Sequence, residues 1–171
     1  IMTIMKPGLF ILGLWVVWGL SWTLAALWSS RAEGRPKLSS QIYYRIPMII
    51  GVLLMLVRAH GYEGPLRLWH VGWIGAWICV GFEAAGIVFA WWARIHLGTL
   101  WSGNVTRKSD HHVVDTGPYG LVRHPIYTGL LLALLATATA KGTIPGLAGF
   151  ASLLLGIWMK AKLEERWLTQ E

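Results

Sequence analysis

The densest group of side chains that could bind a charged ligand lies between His111 and Gly129. It combines His, Asp, Tyr and Arg with small residues, and a long apolar run begins where it ends. Pro125 suits the first turn of a helix, because the N–H that proline lacks would have no partner there. Arg123 and His124 should therefore stand just before a helix, whose free backbone N–H groups favour an anion. The guanidinium of Arg123 adds a fork that matches a carboxylate or a phosphate.

Two adjacent carboxylates, Glu164 and Glu165, form a second candidate group between Lys160 and Arg166. Neighbouring side chains on a helix point about 100° apart, so one carboxylate at most should face a shared pocket. We expect Glu165 to face this pocket and Glu164 to face solvent or a neighbouring base. A short turn between the last two predicted helices would bring the pair close to residues 123–127.

Other interpretations of these residues stay open at this point. Gly129 falls in the first turn of the predicted helix, where the missing side chain would let a ligand approach the backbone. Arg123 could serve only to set membrane orientation, and the two glutamates could form a solvated helix end. His111 and His112 should shape a loop, since no third His or Cys at ligand spacing accompanies them, and we expect no metal site.

The composition indicates which elements must position these groups. Of 171 residues, 55% are hydrophobic, 12 are Trp and 13% are charged, whereas soluble domains average about 25% charged residues. This argues against a water-soluble enzyme. The formal charge of +7 does not indicate a nucleic-acid partner, because the basic residues lie between long apolar runs and not on a polar surface. The single Cys79 excludes an internal disulfide and a cysteine-rich metal site.

Five apolar stretches predict five transmembrane helices. The first has no charged residue and would be about 34 Å long, enough to cross about 30 Å of hydrocarbon. The second spans only if its helix begins near Ser40 and Arg45 snorkels towards the interface. The predicted helices cover residues 8–30, 40–57, 68–93, 126–140 and 142–159, the last two as a tight hairpin. We therefore predict an all-α, polytopic membrane protein with one domain over residues 1–171.

The basic residues predict how this domain is oriented, because cytoplasmic loops collect Lys and Arg. Eleven Lys and Arg fall on one side of the predicted topology and four on the other. The side with eleven includes the loop at 94–123 and the C-terminal tail, and should face the cytoplasm. A loop of this length in a compact protein is usually functional or disordered. We divide the domain into N-terminal helices at 8–93 and a catalytic half at 94–171.

Glu83 interrupts the third apolar run. A carboxylate within a membrane span is a functional-site hypothesis by default. A structural pair with Arg45, Tyr43 or Tyr44 is an equally good interpretation.

Four motifs in the second half of the chain allow a comparison with known families. They are Ala-Arg-Ile-His-Leu-Gly-Thr-Leu-Trp-Ser at 93–102, Gly-Pro-Tyr at 117–119, Arg-His-Pro-Ile-Tyr-Thr-Gly at 123–129, and Glu-Glu at 164–165. With them the chain resembles the isoprenylcysteine carboxyl methyltransferase-like family, which is related to phospholipid methyltransferases. The Arg-His-Pro-x-Tyr-x-Gly string followed by Glu-Glu after a helical hairpin is specific, whereas the N-terminal helices match only as hydrophobic spans.

The resemblance implies a multi-pass membrane enzyme with S-adenosylmethionine as its cofactor, bound on the cytoplasmic side. The cofactor-binding residues that it implies are His112, Val113, Val114, Gly117, Tyr119, Arg123, His124, Pro125, Tyr127, Gly129, Glu164 and Glu165. In this assignment the start of the fourth helix suits the cofactor carboxylate, a glutamate suits the ribose hydroxyls and the ammonium, and apolar and aromatic side chains suit the adenine. No Gly-x-Gly-x-x-Gly pattern follows a strand, so a Rossmann-type methyltransferase fold is not expected.

The implied methyl acceptor is lipophilic and enters between helices from the bilayer. It could be an isoprenylcysteine-like carboxylate or a phospholipid amine. A carboxylate needs no base, whereas an amine must first lose a proton, which would require His124, Tyr127 or Glu165 as the catalytic residue.

Two other functions remain as alternatives. Sterol reductases share part of this membrane architecture and use NADPH, and a non-enzymatic transporter or lipid-binding protein could line a path with Glu83 and Arg45. The family usually continues beyond the Glu pair with a Phe-Gly and a tyrosine-rich helix, whereas this chain begins with Ile1 and stops at Glu171. We therefore expect a trimmed or partly covered chain.

Overall fold

The computed structural model describes residues 6–27, 32–34, 38–57, 64–101, 107–108 and 114–168. These residues form five α-helices: α1 Pro7–Ala26, α2 Leu38–Leu56, α3 Trp73–Leu97, α4 Pro125–Lys141 and α5 Ile144–Leu168. Two short strands, β1 Ala32–Gly34 and β2 Arg107–Lys108, pair antiparallel. Single 3₁₀ turns cover Gly98–Leu100 and Gly117–Gly120. The five predicted helices are present among the described residues, and α5 continues nine residues beyond its predicted end at 159. That all five cross a membrane stays a prediction.

Three of the five helices are long and apolar enough to cross a membrane, namely α1, α3 and residues Ile144–Trp167 of α5. The other two are shorter apolar helices; α4, with 17 residues, is about 26 Å long, less than the roughly 30 Å of hydrocarbon. Large apolar side chains such as Leu20 and Val88 are about two-thirds exposed, as contact with lipid requires. The chain is thus a helical membrane protein with three candidate spans among the described residues.

Helices α3 and α4 form a close pair because glycines face each other across the contact. A Cβ on Gly86 would lie 2.5 Å from the carbonyl oxygen of Gly129, and a Cβ on Gly129 would lie 2.5 Å from that of Gly86. Real Cβ atoms cannot approach that closely, so the pair needs glycine at both positions. The prediction that a ligand approaches the backbone at Gly129 is therefore wrong, because the backbone of α3 fills the space that the glycine leaves.

Helices α2 and α5 form a second close pair, again at glycines. A Cβ on Gly156 would lie 3.0 Å from the Tyr44 carbonyl oxygen and 2.5 Å from Met48 Cγ, and one on Gly149 would lie 2.9 Å from the Gly51 carbonyl oxygen. Since the residue numbers of these contacts rise on α5 as they fall on α2, the helices are antiparallel. Lys160, one turn beyond Gly156, is therefore level with the first turns of α2.

The predicted hairpin between α4 and α5 is confirmed. Gly142 ends α4 in the left-handed conformation with φ 58°, which only glycine adopts without cost. Its carbonyl oxygen accepts hydrogen bonds from the Leu68 and Trp69 N–H groups at 2.8 and 3.2 Å. This turn places the start of α4 and the end of α5 at the same end of the molecule.

Glu83 is completely buried within α3. Neither of its carboxyl oxygens has a hydrogen-bond partner among the described residues. Arg45 instead donates to Gln41 Oε1 at 2.9 Å, and the Tyr44 hydroxyl donates to the same oxygen at 3.5 Å. The suggested structural pair of Glu83 with Arg45 or Tyr44 is therefore wrong, because both of those side chains bond to Gln41 on α2.

A substitution at this position has a clear expected result. Glu83→Leu should raise the free energy of unfolding by about 1–3 kcal/mol, because it removes a buried polar group with no hydrogen-bond partner among the described residues. Thermal unfolding in detergent micelles measures the change, and Glu83→Gln, which keeps a polar group, should give no such gain. A less stable Leu variant would mean that Glu83 has a polar partner in the folded protein.

Candidate active site

The start of α4 and the end of α5 meet through two side-chain contacts. His124 Nε2 lies 3.1 Å from Glu165 Oε1, and the Tyr127 hydroxyl donates to Glu164 Oε1 at 2.7 Å. The expected approach of residues 123–127 to the glutamate pair is thus confirmed. Both contacts depend on the Gly142 turn, which sets the two helices side by side.

The two glutamates differ in burial and in partners. The Glu164 side chain is 22% exposed, with the Lys160 ammonium 3.8 Å from Oε1, whereas Glu165 is 33% exposed and accepts from Lys162 Nζ at 3.0 Å. Glu164 does contact a neighbouring base, as expected. It is nevertheless the more enclosed carboxylate, although the sequence favoured Glu165 for that position.

The first turn of α4 has the features of an anion-binding helix start. His124 is the N-cap residue and makes no side-chain capping hydrogen bond, and Pro125 is the first residue of the helix, as predicted. The His124 ring stacks on Tyr127 with 5.5 Å between centroids and 22° between planes. The stacking fixes the imidazole beside the helix start, where backbone N–H groups favour negative charge.

Arg123 precedes this turn and is exposed to solvent. Its position next to the N-terminus of α4 suits the binding of a carboxylate. Because its side chain is exposed, Arg123 could equally well serve only to orient the chain in the membrane.

The turn Gly117–Gly120 precedes α4 in the chain and packs against the end of α3. Gly117 has φ 57°, and a Cβ there would lie 2.7 Å from Cε1 of the His96 ring. His96 Nε2 lies 2.9 Å from Thr116 Oγ1, and its ring stacks on Tyr119 at 6.4 Å. His96 thus holds the turn from the last turn of α3, a role that we did not assign from the sequence.

Tyr119, in this turn, interacts electrostatically with Arg94 of α3 and with Glu164 of α5. Burial, reinforced by the negative charge of Glu164 and opposed by the positive charge of Arg94, raises the pKa of Tyr119 to about 12. The phenol therefore stays protonated at physiological pH. It can donate a hydrogen bond, but it does not act as a base.

Arg94 is a residue whose position the sequence did not reveal. We expected the third helix to end at 93 with Arg94 in a cytoplasmic loop, but α3 continues to Leu97 and buries Arg94 completely. Its guanidinium donates to the carbonyl oxygens of Gly98 and Ala25, each at 2.7 Å, and lies 4.4 Å from the Trp101 ring centroid. Arg94 thereby ties the end of α1 to the end of α3.

A polar group on α2 also lies near the site, and we did not predict it. Gln41 and Tyr44 are buried, and Arg45 bonds to Gln41. Opposite them on α5, Lys160 is buried with its ammonium 5.4 Å from the Tyr127 ring centroid. The signal that could have revealed the group is the spacing of Gln41, Tyr44 and Arg45, which places them on one helix face.

Of the remaining predicted site residues, only some lie within the segments that the structure describes. His111, His112 and Val113 lie outside the described residues, and Val114 is half-buried at the start of the segment that leads to the Gly117 turn. Within the described part of the chain, no group of three His, Cys, Asp or Glu side chains could hold a metal ion.

The comparison with known proteins identifies one family. The isoprenylcysteine carboxyl methyltransferase (ICMT) family is matched over residues 79–169, just over half of the chain. The match begins in α3 and includes the Gly117 turn, α4 and α5, and thus every residue of the site except those on α2. No curated protein and no solved structure matches the chain.

Proposed function

Since this chain belongs to the isoprenylcysteine carboxyl methyltransferase family, we propose that it transfers a methyl group from S-adenosylmethionine to a lipophilic acceptor at the cytoplasmic face of a membrane. The observation that supports this most directly is the junction of α4 and α5. There His124 and Tyr127, within the Arg-His-Pro-Ile-Tyr-Thr-Gly string, contact both glutamates of the Glu-Glu pair.

The residues at this junction fit the chemical groups of the cofactor. The α4 start and Arg123 offer N–H donors and a cation for a carboxylate. Glu164 and Glu165 offer acceptors for ribose hydroxyls and for an ammonium group. Tyr119 and Val114 offer aromatic and apolar surface for an adenine ring. The bound cofactor would supply an activated methyl group on a sulfonium.

The chain itself would mainly align the two reactants and exclude water, since methyl transfer is an in-line displacement. A carboxylate acceptor requires no proton transfer. An amine acceptor would have to lose a proton, and the His124 ring, held by Glu165, is the group at this junction best suited to accept it. The Tyr127 hydroxyl donates a hydrogen bond to Glu164, which makes Tyr127 a positioning group in either case.

The acceptor would reach the site from the bilayer, between the α3–α4 pair and the α2–α5 pair. Each pair is closely packed at glycines, so the boundary between the pairs is the more readily opened route. The cofactor would arrive from the opposite, aqueous side. The proposed cytoplasmic location of that side is supported by the eleven Lys and Arg on it, against four on the other.

Arg123→Ala tests the cofactor site. The variant should bind S-adenosylhomocysteine about tenfold more weakly, because a charge-assisted pair with the ligand carboxylate is worth about 1.5–3 kcal/mol and exposure to solvent reduces it. Isothermal titration calorimetry on the purified protein measures the affinity. Lys6→Ala removes an exposed cation at the far end of α1 and should leave it unchanged.

Two results of this titration would count against the proposal. Unchanged affinity in folded Arg123→Ala would show that Arg123 only orients the chain. Binding of a reduced nicotinamide in place of S-adenosylhomocysteine by the parent protein would favour the reductase alternative.

A further inference from the structure

Four polar side chains form a cluster where the first turns of α2 meet α5, and we call Gln41, Tyr44, Arg45 and Lys160 the α2–α5 cluster. Gln41, Tyr44 and Lys160 are each less than one-tenth exposed. Arg45 Nη2 donates to Gln41 Oε1 at 2.9 Å, and Arg45 is close enough to Lys160 for their positive charges to repel each other. The Cβ position of Gly156, one turn before Lys160, lies 3.0 Å from the carbonyl oxygen of Tyr44, which precedes Arg45. Two cations thus lie at the same level of the α2–α5 contact.

The cluster is continuous with the proposed active site. Lys160 Nζ lies 3.8 Å from Glu164 Oε1 and 5.4 Å from the Tyr127 ring centroid. Tyr44 is close enough to Tyr127 for the two groups to interact electrostatically. Tyr127 therefore lies beside Lys160 of the cluster as well as beside the His124 ring, which stacks on it.

The position of the cluster in the fold suits the polar end of a lipophilic molecule. Further towards the bilayer centre, α2 and α5 are apolar and closely packed at Gly51, Gly149 and Gly156. The cluster is therefore the first place along these two helices where the polar end of a molecule from the bilayer could form hydrogen bonds or ion pairs. Arginine presents a planar fork that matches an anion. Lysine has three N–H donors and can hold Glu164 and a ligand anion together.

We propose that Arg45 and Lys160 form an acceptor subsite that binds an anionic group of the methyl acceptor, while the cofactor binds on the α4 side of Tyr127. This proposal rests on the proposed function. Arg45 lies outside residues 79–169, so the family match does not assign it. The anion is either the carboxylate that receives the methyl group or the phosphate beside an amine that receives it.

Binding of acceptors to the parent protein tests the subsite without any substitution. The full chain in lipid nanodiscs is titrated with a farnesyl thioether that ends in a carboxylate, with its carboxamide, and with phosphatidylethanolamine. The carboxylate or the phospholipid should bind at least about tenfold more tightly than the uncharged carboxamide. The tighter of the two identifies the anion, and equal affinity for all three probes overturns the proposal.

Two variants assign the effect to these residues. Arg45→Gln and Lys160→Gln should each raise the acceptor KM about tenfold, and Arg45→Gln should keep S-adenosylhomocysteine affinity within about twofold of the parent. Arg45→Lys, which keeps the charge, should recover part of the loss. Arg166→Gln removes an exposed cation from the same helix and should leave the acceptor KM unchanged.

The outcomes separate this proposal from the proposed function. A lower melting temperature with unchanged acceptor affinity would overturn the subsite and leave the cluster as a helix contact. If the parent protein binds no S-adenosylhomocysteine, the methyltransferase proposal fails, and the acceptor titration still decides whether Arg45 and Lys160 bind an anion.

Discussion

Glu164→Gln should weaken S-adenosylhomocysteine binding by at least about tenfold, equivalent to about 1.4 kcal/mol. The substitution keeps the size of the side chain and removes its charge. Glu164 is the more enclosed of the two carboxylates, and it accepts a hydrogen bond from the Tyr127 hydroxyl at 2.7 Å. Its negative charge adds to the effect of burial in raising the pKa of Tyr119. A ligand enclosed between α4 and α5 would therefore contact Glu164 rather than the more exposed Glu165.

Glu165→Gln is the matched control, because it makes the same chemical change one residue further along the helix. Its partners Lys162 and His124 lie on the more exposed side, and we expect a loss of affinity of about threefold or less, as for exposed ion pairs. Calorimetry and methyl transfer should be measured on both variants. A large loss in Glu165→Gln alone would show that the pocket lies on the side of α5 that the sequence first suggested, and parental behaviour of both would exclude the pair from the site.

Gly129→Leu should lower the free energy of unfolding by at least about 3 kcal/mol or prevent folding. The physical reason is the 2.5 Å separation between any Cβ at this position and the carbonyl oxygen of Gly86. A leucine there would force α4 away from α3, and the start of α4, only one turn away, would move with it. Cofactor binding should therefore be lost together with stability.

Thermal unfolding in detergent and S-adenosylhomocysteine titration measure these two effects. Gly81→Leu is the control, because it adds the same side chain to α3 at a position with no atom within 4 Å of the added Cβ. We expect Gly81→Leu to behave like the parent. A stable Gly129→Leu protein that had lost only its affinity would instead favour direct contact between Gly129 and the ligand.

Local sequence patterns predicted which segments of the chain form the candidate site. The Arg-His-Pro-Ile-Tyr-Thr-Gly string gave the start of α4, because proline at the first helical position is a local preference. The apolar stretches gave the number of helices, and the short connection at Gly142 brought the glutamates to residues 124–127. The direction of each side chain around its helix did not follow from these signals.

The sequence alone determined the helical membrane architecture, the hairpin and the motifs that meet at its open end, since hydropathy and turn residues act over a few neighbours. The tertiary structure decided that Glu164 is the inner carboxylate, that Gly129 packs on α3, that Arg94 is buried, and that the first turns of α2 pack at the level of Lys160 on α5. These features depend on how each helix is rotated about its axis. That rotation is set by contacts between residues far apart in the chain, such as Gly86 with Gly129 and Tyr44 with Gly156, and a shift of one residue turns a side chain by about 100°.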